Sequence, residues 1–205
     1  MNHKEVNRQV YDRYAQEFQQ ITQSYLTKHI LKDVKLFMSS LKGKRILDLG
    51  SGPGRDSQFF KEKGLNPLCL DISPEMIKLC QEKGLEAQVG DLEKLPFEDS
   101  SFDGVWAYTS LLHVPKNKFG EILTKINNIL TPQGIFYLGM KEGDFEGMVK
   151  SEKYGESERF FSLYRDSELR KILSQSFSIT HSSRVELGEA VFLNYLCKNK
   201  GIRNP

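Results

Sequence analysis

The sequence predicts an α/β domain, a mostly parallel sheet covered by helices on both faces, and three observations carry that expectation. From Arg45 onward, short apolar runs alternate with amphipathic stretches. The first apolar run ends in a glycine-rich loop, Gly50-Ser-Gly52-Pro-Gly54, that leads into a helical pattern. A helical lead-in precedes that first strand, and no internal repeat or low-complexity segment interrupts the alternation.

Taken in order, Tyr11, Tyr14 and Phe18, then Ile30, Leu31, Val34, Phe37 and Leu41, recur at helical spacing and predict two helices ending at Lys42-Gly43. Strands are expected at Arg45–Leu49, Pro67–Leu70, Ala87–Val89, Gly104–Ala107 and Ile135–Met140. Helices fall between them at Asp56–Lys63, Pro74–Lys83 and Lys116–Leu130. Ser73-Pro74 supplies an N-cap and first-turn pair, and Gly64 and Gly84 supply stops. After Met140 the chain becomes polar and glycine-dotted, then aromatic at Phe160, Phe161 and Tyr164, which reads as a lid-like insertion. A helix at Asp166–Ser174 and strands at Ser178–Ser182 and Ala190–Cys197, turning at Gly188 and able to pair as an antiparallel hairpin, complete the pattern. The expected organisation is one domain: a helical cap over 1–43, a βαβ core over 44–140, the insertion over 141–165, and a helix with a strand pair over 166–205.

Composition narrows the function. Hydrophobic residues at 39% and charged residues at 27% fit a globular protein, and no apolar run is long enough to cross a bilayer. The N-terminus is polar and carries both charge signs, without the apolar centre of a secretory signal, so the cytoplasm is the expected location. Cys69, Cys80 and Cys197 are widely separated among apolar neighbours, which fits small core residues better than disulfides or metal ligands. A net charge of +2 gives no strong field for nucleic acid or an anionic membrane. Residues 1–45 hold nine Lys or Arg against four Asp or Glu, but these are scattered at helical spacing, as on a solvated face.

The glycine loop selects among nucleotide-type ligands. A phosphate-cradling loop requires Gly-Lys-Ser/Thr, and here Gly54 is followed by Arg55-Asp56. A dinucleotide fold favours Gly or Ala where Arg55 stands, and Asp56 would repel a pyrophosphate at the helix N-terminus. Strand ends expected to meet in one crevice carry Asp48, Asp71 and Asp91, which favours a ligand bearing positive charge.

Asp48-Leu-Gly50-Ser51-Gly52-Pro53-Gly54 resembles the acidic-x-Gly-x-Gly-x-Gly motif of the class I S-adenosylmethionine-dependent methyltransferases, of the small single-domain type 11/25-like kind. The likeness covers roughly Tyr11 to Cys197. It implies a Rossmann-like sandwich with a seven-stranded, mostly parallel sheet whose last strand is antiparallel. It implies S-adenosyl-L-methionine as cofactor and S-adenosyl-L-homocysteine as product. In that family the acid of "LCLDIS", Asp71, accepts both ribose hydroxyls, with Ile72 and Met76 against the adenine. "VGDLEKLPF" resembles the motif in which Asp91 bonds the adenine amino group and the Leu92 amide bonds the ring. "FDGVWAYTSLLHV" implies main chain near Ala107 and Tyr108 at the methionine end, and "ILTPQGIFYLG" resembles the approach to the fifth strand. "VYDRYAQEF" resembles an N-terminal segment folded over the cofactor, with Tyr14 on its carboxylate.

Each residue also has a plainer role. Asp48 suits bracing the loop, Asp71 capping the next helix, Asp91 a strand-end turn, and Tyr11, Tyr14 and Phe18 helix packing. His113 is the one histidine beside the expected pocket, a candidate base or a satisfied structural histidine. Lys141, Glu142 and Asp144 follow the fifth strand and either face an acceptor or are solvated. The expected function is methyl transfer without a metal to a small-molecule acceptor. A tRNA or protein acceptor, a non-catalytic cofactor-binding regulator and an NAD-dependent oxidoreductase are the alternatives, and oligomeric state is not legible.

Overall fold

The computed structural model describes residues 2–151 and 157–200. Instead of two long helices, the lead-in forms α1 (His3–Arg13), α2 (Ala15–Thr22), a π-helical turn (Leu26–Ile30) and α3 (Leu31–Ser40). The first break falls at Tyr14, whose φ of −114° and ψ of 25° leave the helical region and turn α2 away from α1. Asn2 caps α1, its side chain accepting the Lys4 amide at 3.2 Å.

The alternating region gives β1 (Arg45–Leu49), α4 (Arg55–Glu62), β2 (Asn66–Asp71), α5 (Pro74–Glu82), β3 (Glu86–Val89), β4 (Phe102–Tyr108), α6 (Lys116–Ile129) and β5 (Leu130–Lys141). The 3-10 turn Leu111–His113 joins β4 to α6. Ser73 caps α5 as its position before Pro74 predicts, accepting the Met76 amide at 3.1 Å. The insertion is a two-stranded antiparallel hairpin, β6 (Phe145–Ser151) and β7 (Ser157–Leu163), in which Phe145 pairs with Leu163. Glu152 to Glu156 of the expected lid-like segment lie outside the described residues, as do Met1 and Gly201 to Pro205. Polar composition hid these strands, because an exposed hairpin need not alternate apolar and polar residues strictly.

The chain closes with α7 (Asp166–Ser176), β8 (Phe177–Leu187) and β9 (Ala190–Asn199), an antiparallel pair turning at Gly188. The main sheet runs β3-β2-β1-β4-β5-β9-β8. Its first five strands are parallel, and β9 lies antiparallel to β5. Helices cover both faces, so the central strands are buried on each side and read as continuous apolar runs.

One face packs Phe136, Leu138 and Val105 beneath α6 and α7. The other packs Phe37, Phe60, Trp106 and Tyr137 beneath α3 and α4. Trp106 stacks on Tyr137 at 3.9 Å between ring centres and 8° between planes. Among the described residues no helix is long and apolar enough to cross a membrane.

Candidate active site

The glycine loop leaves β1 with Gly50, Gly52 and Gly54 all at positive φ, between 52° and 77°. Two of them need glycine for opposite reasons. A Cβ on Gly54 would stand 2.6 Å from the Leu85 side chain and 2.8 Å from the Cys80 sulfur, so Gly54 permits close packing under the loop. A Cβ on Gly52 would meet only the Phe18 ring, at 3.5 Å, across the mouth of a cavity. Bare backbone there allows a ligand to approach the main chain. The loop is tied from below: the Gly52 amide donates to Asp71 Oδ2 at 2.9 Å, the Cys80 thiol to the Gly52 carbonyl at 3.2 Å, and Lys83 Nζ to the Pro53 carbonyl.

The cavity, about 440 Å³, lies beyond the carboxyl ends of the parallel strands, where open α/β sheets hold ligands. Asp48, Gly50, Ser51, Gly52 and Pro53 line it from the loop, and Asp71, Ile72, Met76, Asp91 and Leu92 from the next two strand ends. Gly54 and Ala107 do not line it, Gly54 because it packs under the loop and Ala107 because it is fully buried inside β4. Tyr108, one residue further, does. Tyr14 is likewise absent from the lining, and the α1 tyrosine that faces the cavity is Tyr11, one helical turn earlier.

The three acids differ in state, so their charges do not simply add. Asp48 accepts the Ser57 hydroxyl at 2.7 Å, and burial, with Asp56 nearby, holds its carboxyl well above the usual range. It braces the loop. Asp71 accepts the amides of Gly52 and Ser73, each at 2.9 Å. Burial outweighs those bonds and pushes its pKa up to about 6, so it is largely ionised at neutral pH and keeps lone pairs for further donors. Asp91 accepts the Glu93 amide at 2.9 Å and pairs with Lys4 at 2.8 Å. Against its partial burial, the Lys4 ammonium holds it below the usual range. Lys4 therefore offsets charge at that end, and the expected strongly anionic cradle reduces to Asp71. Its partner lies 87 positions away in sequence, so the pattern around Asp91 gave no sign of it.

Helix α1 lies over this end of the cavity. Asp12 Oδ1 accepts the Ser73 hydroxyl at 2.6 Å. Asn7 joins α1 to β7 like a missing strand residue, donating to the Phe160 carbonyl at 3.2 Å and accepting the Phe160 amide at 2.7 Å.

His113 belongs to that junction. Its Nδ1 donates to the Phe160 carbonyl at 2.7 Å, which leaves Nε2 to accept the Tyr11 hydroxyl, also at 2.7 Å. Burial holds its pKa down at about 3. With both nitrogens engaged, the geometry favours the structural of the two readings of His113, a bridge between α1 and β7. A folded-state value below the ordinary 6.5 means the unfolded chain takes up more protons, so this group's contribution to stability is lost as pH falls from 6.5 toward 3. His113→Asn is expected to lower the melting temperature at pH 7 and to lose less on acidification to pH 5 than the parent. Melting curves at both pH values check this, and a steeper acid loss in the variant contradicts it.

The aromatic cluster of the insertion divides. Phe161 lines the cavity, Tyr164 is fully buried against Phe119, and Phe160 packs on His3. On the far side, Tyr108 donates to the Tyr25 hydroxyl at 3.0 Å, and burial raises both phenols. Arg55 pairs with Asp56 at 2.5 Å and lies over the Tyr25 ring, while Asp56 accepts the Trp106 indole at 2.8 Å. Tyr25 and Arg55 were not expected at the site as ligand-facing groups. Cation spacing and helical aromatics alone do not separate cavity walls from ordinary packing.

Residues 47–138 match the family model described as "Methyltransferase domain". A malonyl-[acyl-carrier protein] O-methyltransferase of Erwinia billingiae is 32% identical over 129 residues, 58% of this chain and 50% of the relative. The chain spans half or less of the length of the first curated relatives it matches. The 1,6-didemethyltoxoflavin-N1-methyltransferase of Burkholderia thailandensis, solved with 1,6-didemethyltoxoflavin and S-adenosylhomocysteine, superposes with a TM-score of 0.72 at 22% identity, covering 95% of this chain and 88% of its own. A DhpI–SAH complex gives 0.74 at 21% identity over 99% and 100%.

Proposed function

We propose that this chain is a class I S-adenosylmethionine-dependent methyltransferase, a reading supported by the methyltransferase-domain match over residues 47–138 and by the fold, and that it transfers a methyl group to a small-molecule acceptor in this cavity. The observation that carries the reading is the meeting of Asp71 with the bare face of Gly52. A buried, largely ionised carboxylate keeps acceptor capacity beside main chain that a ligand can reach. These groups fit an adenosine: two carboxylate oxygens suit two ribose hydroxyls, and Ile72, Met76 and Leu92 give an apolar wall for a flat base. Bound there, S-adenosylmethionine supplies an electrophilic methyl group on a sulfonium sulfur.

In this reading Asp71 holds the ribose, Asp91 and Leu92 the adenine edge, and the Gly50–Pro53 backbone the methionine end. Tyr11 and Phe18, on α1 and α2, exclude water from above. The protein's part in a direct displacement is chiefly alignment of the reacting atoms. The small-molecule reading is supported by a cavity of about 440 Å³ and by a net charge of only +2.

Thermal shift with S-adenosylhomocysteine against NAD tests the cofactor, and a labelled methyl donor with an acceptor panel tests transfer. Stabilisation by NAD alone contradicts the reading. Gly52→Val is expected to weaken S-adenosylhomocysteine binding by more than about tenfold, because a branched side chain at positive φ enters the face left bare. Calorimetric titration measures it, and unchanged affinity removes this face from the site.

A further inference from the structure

Three charged residues end or follow β5, and the structure sorts them. Glu142 pairs with Arg184 at 3.0 Å, and Asp144 pairs with Arg165. Lys141, half-buried, lines the cavity and has no ion-pair or hydrogen-bond partner among the described residues. Across the antiparallel register it stands beside Phe192, whose ring lies 6.2 Å from Tyr25, and Tyr25 lies 5.7 Å from Tyr108. Lys141 thus stands at the edge of an aromatic wall.

The neighbouring strand adds a second donor. Thr109, just past β4, has φ of 56°, a left-handed conformation that strains a β-branched residue. Its amide is pinned to the Gly139 carbonyl at 2.8 Å, and it lines the cavity. Its hydroxyl has no partner among the described residues. Strained backbone held by its surroundings at a cavity is where function is sought.

This end is remote from the ribose-binding acid. Asp71 ends β2 and Lys141 ends β5, with β1 and β4 between them, so about 14 Å of sheet separates the two at the usual strand spacing. Two cavity side chains able to act as a base, His113 and Tyr108, are also engaged. His113 has both nitrogens bonded, and the Tyr108 phenol donates to Tyr25 within their hydroxyl pair.

The geometry points to an acceptor subsite at the β4–β5–β9 end that takes an organic carboxylate on an apolar body, gripped by Lys141 Nζ and the Thr109 hydroxyl. Two donors lining one cavity from neighbouring strand ends suit a group with two acceptor oxygens, and the aromatic wall suits its hydrocarbon. Such an acceptor needs no base. A carboxylate oxygen donates a lone pair to the methyl carbon as the carbon–sulfur bond breaks. The bonding electrons stay on sulfur, the positive and negative charges cancel, and a methyl ester and S-adenosylhomocysteine leave with no proton transferred.

The inference rests on the methyltransferase reading, and the test separates the two. S-adenosylhomocysteine is titrated first into the intact chain; failure to bind sinks the methyltransferase reading before any acceptor is added. The loaded chain is then titrated with octanoate against octanamide and phenylacetate against phenylacetamide. At least one acid is expected to bind tenfold or more tightly than its amide. Lys141→Met should abolish that difference while S-adenosylhomocysteine affinity stays within twofold. With labelled donor, the product of the bound acid should release volatile methanol on alkaline hydrolysis. Equal or absent binding of acids and amides, an acid preference that survives Lys141→Met, a loss of S-adenosylhomocysteine affinity in that variant, or alkali-stable label overturns the proposal.

Discussion

Asp71→Ala is expected to weaken S-adenosylhomocysteine binding by about a hundredfold or more while the chain still folds. Two hydrogen bonds from neutral donors to an ionised carboxylate contribute roughly 1.5–3 kcal/mol each, and every 1.4 kcal/mol is a factor of ten. The same substitution leaves the Gly52 and Ser73 amides without their acceptor, so a lower melting temperature accompanies the loss. Asp71→Asn separates the effects, because its amide oxygen replaces part of the brace and carries no charge.

The pH dependence supplies an independent check on Asp71. Its pKa in the free protein is raised to about 6 by burial. Donors that favour the ionised form lower that value in the complex. Affinity is therefore level above pH 6 and falls as pH drops through 6, at most tenfold per unit, until the lower value of the complex is reached. Calorimetry across pH 5 to 8 should show that bend in the parent and a flat profile in Asp71→Asn. Unchanged affinity in the alanine variant removes Asp71 from the ribose role.

The largest expected stability effect lies below the site. Trp106 is fully buried, stacked on Tyr137 and edge-on to Phe37 and Phe60, and its indole donates to Asp56. Trp106→Ala opens a cavity in that face and removes a donor from a buried carboxylate. A cost of about 3–5 kcal/mol follows for emptying such a position. For a chain of this size that corresponds to a fall in melting temperature of roughly 6–20 °C. Trp106→Phe keeps the ring contact and loses the indole donor, so it should fall between parent and alanine. Scanning calorimetry decides, and a shift below about 3 °C in the alanine variant contradicts the packing account.

The α/β alternation was legible because strands buried on both faces must be apolar throughout, while the helices covering them need only one apolar stripe. Every strand expected between Arg45 and Met140 is present, each lengthened at one or both ends except β1. Helix boundaries near Gly64, Ser73 and Gly84 were legible because capping and positive φ are local chemistry. The break at Tyr14 was not, since its aromatic repeat runs straight through it. The β6–β7 hairpin was hidden by its polar, non-alternating composition, and its junction with Asn7 by a separation of 153 residues.

The site divides along the same line. The glycine loop and Asp71 could be read from sequence because the requirements they meet lie within one strand–turn–helix unit or at the next strand end. By itself the sequence determined the layer architecture, the ligand-facing loop and the class of cofactor it resembles. Only the tertiary structure decided which charges survive in the cavity: Lys4 quiets Asp91, burial quiets Asp48 against its bond from Ser57, and arginines from other segments take Glu142 and Asp144 while Lys141 has no ion-pair partner among the described residues. The physical reason is that charge state and partner depend on distance through space and on exclusion of water, and neither is fixed by spacing along the chain.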